Sequence, residues 1–240
     1  MLYAISLRSQ SGCKAGRYKP FMKRQLRNIL LCSMTFLLSC TPTQNCPEVN
    51  TLPMFGRLKK CDKQLEADQI FLANCDKFYK NRNEATRHHI DMGWGYFYKN
   101  QLDSSMMRFN QAWLLDSTNA DIYWGFGNIL GTKHQFKESI PFLKKSIEMN
   151  PNNPKVYESI STSYGQIFFE TKDVKYLNLT IDNLKNSIRL NPNNASVYGQ
   201  LTGAYSYFNQ TDSARKYLEI TDRLDPNAVN PEVRNMLNKK

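Results

Sequence analysis

The side chains with chemistry to offer are few and poorly grouped. His88-His89 and His134 are the only histidines among 240 residues. Neighbouring residues on a helix point about 100° apart, so the pair makes a poor metal chelate. A histidine ligand needs a second residue to orient its ring, and the pair reads instead as having a surface or interhelical role. No Cys/His spacing fits a zinc site. Serine and aspartate are plentiful, but none forms a nucleophile motif with its base. Gly93-Trp94-Gly95 and Gly125-Phe126-Gly127 fall inside helical patterns and not in a phosphate-binding loop. Close helix packing accounts for Gly93 and Gly127, whereas Gly95 and Gly125 have no such account. Tyr123-Trp124-Gly125-Phe126-Gly127 is left as a ligand-contact patch. The expectation is a protein without catalytic residues, metal or cofactor.

Cys46, Cys61 and Cys75 form an odd set in the C-terminal part of the chain. Cys61 and Cys75 fall on one helical pattern, where their spacing gives about 21 Å of rise, far too long for a bridge. Cys46 can fold back onto either one, or all three can stay reduced as small core residues.

The formal charge of +11 is unevenly placed. Seven basic residues and no acidic one lie in 1–39, so residues 40–240 carry 25 basic against 21 acidic. A net +4 is an ordinary solubility charge, and nucleic-acid binding gets little support from it. Hydrophobic residues at 41% and aromatics at 12% exclude a disordered polymer. The one apolar run near membrane length is N-terminal, which excludes a multi-pass membrane protein.

That run reads Met22-Lys23-Arg24 through Ile29–Leu38 to Ser39-Cys40, a basic segment, an apolar stretch and a small residue before cysteine. It resembles a bacterial lipoprotein signal over residues 22–39. The resemblance implies cleavage before Cys40 and lipidation of its sulfur, with acyl chains replacing the removed segment as the membrane anchor. The alternative is a plain anchoring helix, for which the stretch is short. The absence of Asp after Cys40 implies, by the same resemblance, sorting to the outer membrane, facing the periplasm or the surface. Residues 1–21 do not fit this layout and read as an extension from a wrongly assigned start, with Met22 the true one. Residues 40–56 read as a flexible tether.

Four phrases organise the remainder: Ser117-Thr118-Asn119, Asn150-Pro151-Asn152, Asn191-Pro192-Asn193 and Asp225-Pro226-Asn227. From Ser117 to Pro151, Pro192 and Pro226 in turn, the spacings are 34, 41 and 34 residues. Between them run paired amphipathic helical patterns with apolar residues three and four apart, and sustained strand alternation is absent. Small residues face large ones: Gly93 and Ala112 with Tyr96 and Phe109, then Gly127, Ser139 and Ser146 with Tyr123, Phe126 and Leu143. Further along, Ser161, Thr180 and Ser187 face Tyr157, Tyr164 and Leu184, and Ala214 and Thr221 face Tyr198, Tyr205 and Leu218. In period and pattern residues 86–228 resemble the tetratricopeptide repeat. Ser117 in place of proline, His89 in an apolar position and Thr202 in place of glycine depart from that pattern. The implied fold is all-α, a superhelical array of about four hairpins (86–119, 120–153, 154–194, 195–228). An N-terminal cap helix (about 57–82, in a segment 57–85) and a short C-terminal helix (229–240) flank it. The cap stripe comprises Leu58, Cys61, Leu65, Leu72, Cys75 and Tyr79, widened by Phe71 and Phe78 and interrupted by Asp68. The seven extra residues of the third unit should lengthen both of its helices by about one turn.

In such an array the first helix of each unit lines the concave face. By the repeat register its residues free for a partner are Trp94, Phe97, Tyr98, Trp124, Asn128, Glu158 and Tyr207. Aromatics with polar tips are good anchors. The competing reading is that these rings pack on the cap helix and complete the core. Asn128 stands at a clamp-like position, but the companion Lys and Arg positions of a carboxylate clamp are unfilled. The functional expectation is a non-enzymatic adaptor that binds another envelope protein or peptide. The alternative is a carrier of a glycan or peptidoglycan-type fragment.

Overall fold

The structure is a computed structural model and describes residues 46–238. Among these residues it contains ten α-helices and no strand. A 3-10 turn at Pro53–Arg57 leads to α1 (Asp62–Phe78). There follow α2 (Arg82–Phe97), α3 (Leu102–Leu115), α4 (Ala120–Thr132), α5 (Phe136–Met149), α6 (Pro154–Thr171), α7 (Val174–Leu190), α8 (Ala195–Tyr207), α9 (Thr211–Leu224) and α10 (Pro231–Asn238). Helices α2 to α9 pair as four hairpins, and the second helix of each also packs on the first helix of the next.

Local chemistry sets these boundaries. Asn81, Asn119 and Asn153 each accept a bond from a backbone N–H in the first turn of the helix they precede, satisfying one otherwise orphaned donor. After each first helix one residue takes a left-handed conformation to turn the chain: Asn100, His134, Lys172 and Asn209. His134 is therefore a turn residue. Tyr123 and Tyr157 donate their hydroxyls to the carbonyls of Ser117 and Pro151 (2.8 and 3.1 Å), tying each first helix to the turn before it.

The insertion in the third hairpin divides between its helices. Helix α6 has 18 residues against 13 in α4 and α8, and α7 has 17 against 14 in α5 and α9. The first helix gains more than one turn and the second just under one.

Interhelical packing relies on small residues beneath large ones. The fully buried Phe109 ring lies against both Gly93 and Gly125, where a Cβ would come within 2.8 and 2.3 Å of it. Gly125, unexplained within its own repeat, is thus needed by the ring of the preceding one. Gly127 makes the same room for Leu143. Burial of each such side chain contributes about 1.5–3 kcal/mol. At the far end, Gly199 lets the chain pass at Ala228, whose carbonyl oxygen would lie 2.2 Å from a Cβ. Val233 and Leu237 of α10 then join the core formed by α7, α8 and α9.

Two N-terminal expectations are corrected. The cap helix is shorter than 57–82: residues 58–60 are non-helical, Cys61 is its N-cap, and it ends at Phe78. Contact with the repeats comes from Phe71, Leu72, Cys75 and Tyr79 against Ala85 and Leu115, while Leu58, Leu65 and Phe78 are exposed. Helix α2 already begins at Arg82, so Ala85 belongs to the first hairpin and not to the cap segment.

Nor are residues 46–56 a tether. They form a strap across α3, with Val49, Met54 and Phe55 buried. Asn110 of α3 donates to the carbonyls of Asn50 and Leu52, each at 2.9 Å, and Phe55 meets Trp113 edge-on. A disulfide joins Cys46 to Cys61 across 15 residues, and Cys75 is free and buried. Met54, Phe55, Gly56 and Arg57 all have positive φ (51–64°). Left-handed backbone costs about 1–2 kcal/mol at each of the three that are not glycine. Burial of three apolar side chains, at about 1.5–3 kcal/mol each, and closure of the loop, worth about 3 kcal/mol, outweigh it. Cys40 and the expected leader lie outside the described residues, as do residues 1–21.

Candidate functional site

Four of the expected residues come together. The Trp94 and Trp124 ring centroids are 4.4 Å apart, bridging α2 and α4. Phe97 meets Trp94 edge-on, and Tyr98, 77% exposed, stacks on its outer side. Trp94, Phe97 and Trp124 pack on the core of the hairpins themselves, and Tyr98 does not. The α1 contacts go instead to His88 and His89, so the aromatic cluster is not a seat for the cap helix.

From Trp124 a polar track leads to the next first helix. The indole Nε1 donates to Ser159 Oγ at 2.9 Å. The Ser159 hydroxyl lies 3.1 Å from Asn128 Oδ1 and 3.0 Å from the Lys155 carbonyl, and its single proton serves one of them at a time. Asn128 Nδ2 donates back to the Trp124 carbonyl at 2.8 Å. Around this network lies an open groove of about 490 Å³, lined by Trp124, Asn128, Lys155, Ser159, Thr162 and Gln200 among others. Lys155, Ser159 and Thr162 share one face of α6 by their four- and three-residue spacing. The groove crosses the first helices of three successive hairpins.

Glu158 and Tyr207 are placed differently. The Glu158 carboxylate accepts from Ser187 Oγ (3.0 Å) and Asn194 Nδ2 (2.9 Å), stitching α6 to α7 and to the turn before α8. Asn194 makes no side-chain cap on α8, unlike Asn119 and Asn153 on α4 and α6. Glu158 borders the groove with one of its two oxygens, Oε1, engaged in both bonds. Tyr207 lies apart from the tryptophans, edge-on to Phe169 at 5.1 Å. It borders a smaller groove of about 280 Å³, which shares Thr162 and Gln200 with the first. Ser159, Gln200 and Phe169 were missed from sequence. The signal for Ser159 was its place next to Glu158 on the first helix of the third unit, four residues after Lys155 and three before Thr162.

Among the described residues no three His, Cys, Asp or Glu side chains converge as a metal set. His89 is buried between α1, α2 and α3, edge-on to Phe71, with Nε2 4.0 Å from Cys75 Sγ and Nδ1 without a partner. Burial foremost, then the neighbouring His88 and Arg108 charges, lowers its pKa to about 4. Burial likewise pushes the Cys75 thiol up. Both groups are neutral at pH 7, which suits packing and not nucleophilic chemistry. Burial also raises the Asp121 carboxyl in the first turn of α4.

No family model matches the chain, and no curated protein does. Solved structures are similar. A thermophilic TPR protein of Thermus thermophilus is 18% identical, covering 64% of this chain and 80% of its own, with a TM-score of 0.53. A MamA structure is 20% identical over 65% of this chain and 86% of its own, TM-score 0.51. YrrB, described as a TPR protein with an unusual peptide-binding site, is 18% identical over 70% and 89%, TM-score 0.53. At these identities the likeness concerns architecture alone, and with the hairpin pairing described above it establishes a tetratricopeptide-like fold.

Proposed function

We propose that the chain is a membrane-anchored adaptor of the bacterial cell envelope that holds a polypeptide segment of another protein along its first-helix face. One observation carries this reading: a continuous groove with an aromatic end at Trp124 and exposed hydrogen-bonding side chains, Thr162 and Gln200, reaches from α4 to α8. A surface laid out by stacked hairpins and furnished this way suits an extended chain, whose backbone donors and acceptors recur along its length. The peptide-binding site named for YrrB is an analogy of fold and supports the reading only as such. A glycan is the weaker occupant, because Trp94 and Trp124 are half-buried, pack against each other and pack on the hairpin cores.

In this reading Cys40 carries the lipid, the outer membrane is the destination, and the four hairpins curve so that the first helices face inward. The protein recruits and does not catalyse.

Thr162→Arg/Gln200→Arg fills the groove from two exposed positions without entering the core. Affinity recovery from detergent-solubilised envelopes should lose a specific polypeptide that the wild type retains. Recovery of the same set by both proteins would remove the groove from the account. Metabolic labelling with a tagged fatty acid, abolished in Cys40→Ser, tests the anchor separately.

A further inference from the structure

The disulfide-closed strap is the one device that the binding reading does not use. Its two cysteines stand in unequal surroundings: Cys46 is an exposed residue, while Cys61 is buried and is the N-cap residue of α1. Gln64 Oε1 accepts from the Cys61 N–H at 3.1 Å, and Gln64 Nε2 reaches the Pro47 carbonyl at 2.6 Å, so the first turn of α1 is built around the bridge. Lys60 lies over the Phe55 ring and pairs with Asp68 of α1. The strap thus joins α1 to α3, two helices whose direct contact is otherwise confined to the small Cys75–Ala85–Leu115 cluster. Its left-handed turn is held by the burial of Val49, Met54 and Phe55, by the Asn110 bonds and by the closed loop together.

We propose that Cys46–Cys61 is a thiol–disulfide exchange site for a dithiol reductant, and that its opening releases the strap from α3. The reductant thiolate attacks the sulfur of the exposed residue Cys46, forming a mixed disulfide there, and Cys61 leaves as a thiolate. A helix N-terminus stabilises that thiolate, which makes Cys61 the better leaving group. The second thiol of the reductant then displaces Cys46, so two electrons and two protons pass to the protein and the reductant becomes a disulfide. Released at Cys46, residues 49–57 vacate α3 and expose the seats of Val49, Met54 and Phe55 beside Trp113, Tyr123 and Phe142, an apolar surface absent from the oxidised form.

The test uses the full chain in glutathione and dithiothreitol redox buffers without denaturant. Limited exposure to glutathione should give an adduct on Cys46 by mass spectrometry. Dithiothreitol reduction should speed amide hydrogen exchange at Leu52, Phe55 and Leu58, which are hydrogen-bonded within the strap, at least tenfold, while α4 to α9 keep their protection. Cys46→Ser/Cys61→Ser should exchange like the reduced protein; should that variant not fold, reduced wild type supplies the comparison. An adduct mainly on Cys61, a bridge reduced only after global unfolding, or unchanged strap exchange in the reduced protein would each overturn the proposal.

Discussion

Replacing His89 by leucine should remove a pH dependence that the wild type carries. The imidazole is buried against Phe71, Cys75 and Tyr79, and its pKa falls from an ordinary 6.5 to about 4. Between those values the unfolded chain binds a proton that the folded chain refuses. Stability is therefore complete above pH 6.5 and is lost as pH falls towards 4. The full gap corresponds to at most about 3 kcal/mol, and about 2 kcal/mol of it is gone at pH 5. Asp76 and Asp222 are held below the usual carboxylate range by Arg82 and Arg234, and Asp121, raised by burial, acts alike in both proteins, so the difference between wild type and His89→Leu reports His89. Urea unfolding followed by circular dichroism at pH 7.5, 6 and 5 measures it. Wild type should lose about 2 kcal/mol more than His89→Leu across that range. Parallel losses in the two proteins, or an imidazole that titrates near 6.5 by NMR, would refute the buried neutral histidine.

Two glycines of similar sequence setting should respond oppositely to alanine. Gly125→Ala drives a methyl group into the Phe109 ring and should cost about 1–3 kcal/mol in denaturant unfolding. Gly95→Ala meets nothing within 4 Å in the body of α2 and should stabilise by about 0.5–1 kcal/mol. Lys172→Gly relieves the left-handed residue that ends α6 and should raise stability by about 1 kcal/mol, read as a higher melting temperature. Gly199→Ala meets the Ala228 carbonyl and should loosen α10 first, visible as faster hydrogen exchange at Val233 and Leu237.

The hairpins were legible because their signals are local. An asparagine before each first helix and a turn after each pair fix where helices start and stop, and a seven-residue excess within one unit can only lengthen what lies between two turns. Gly125 was opaque because its partner, Phe109, belongs to the preceding unit, and a register built within one repeat does not see across the junction. The strap was opaque for a different reason. Val49, Met54 and Phe55 show no helical or strand period, and their burial depends on Asn110, some sixty residues away, and on a left-handed turn that no local pattern announces. The same holds at the binding face. The register brought Trp94, Phe97, Tyr98 and Trp124 together, but Glu158 was drawn into bonds with Ser187 and Asn194 that depend on how α6, α7 and α8 meet.

Site-specific photo-crosslinking in the native envelope tests the central claim most directly. A photoreactive residue at Gln200, inside the groove, should capture one discrete polypeptide, and the adduct should vanish when Thr162→Arg fills the neighbouring space. The same probe at Glu219, on the exposed side of α9, should give no such adduct. Capture at Glu219 but not at Gln200, or an adduct at Gln200 that survives Thr162→Arg, would contradict a partner seated along the first helices.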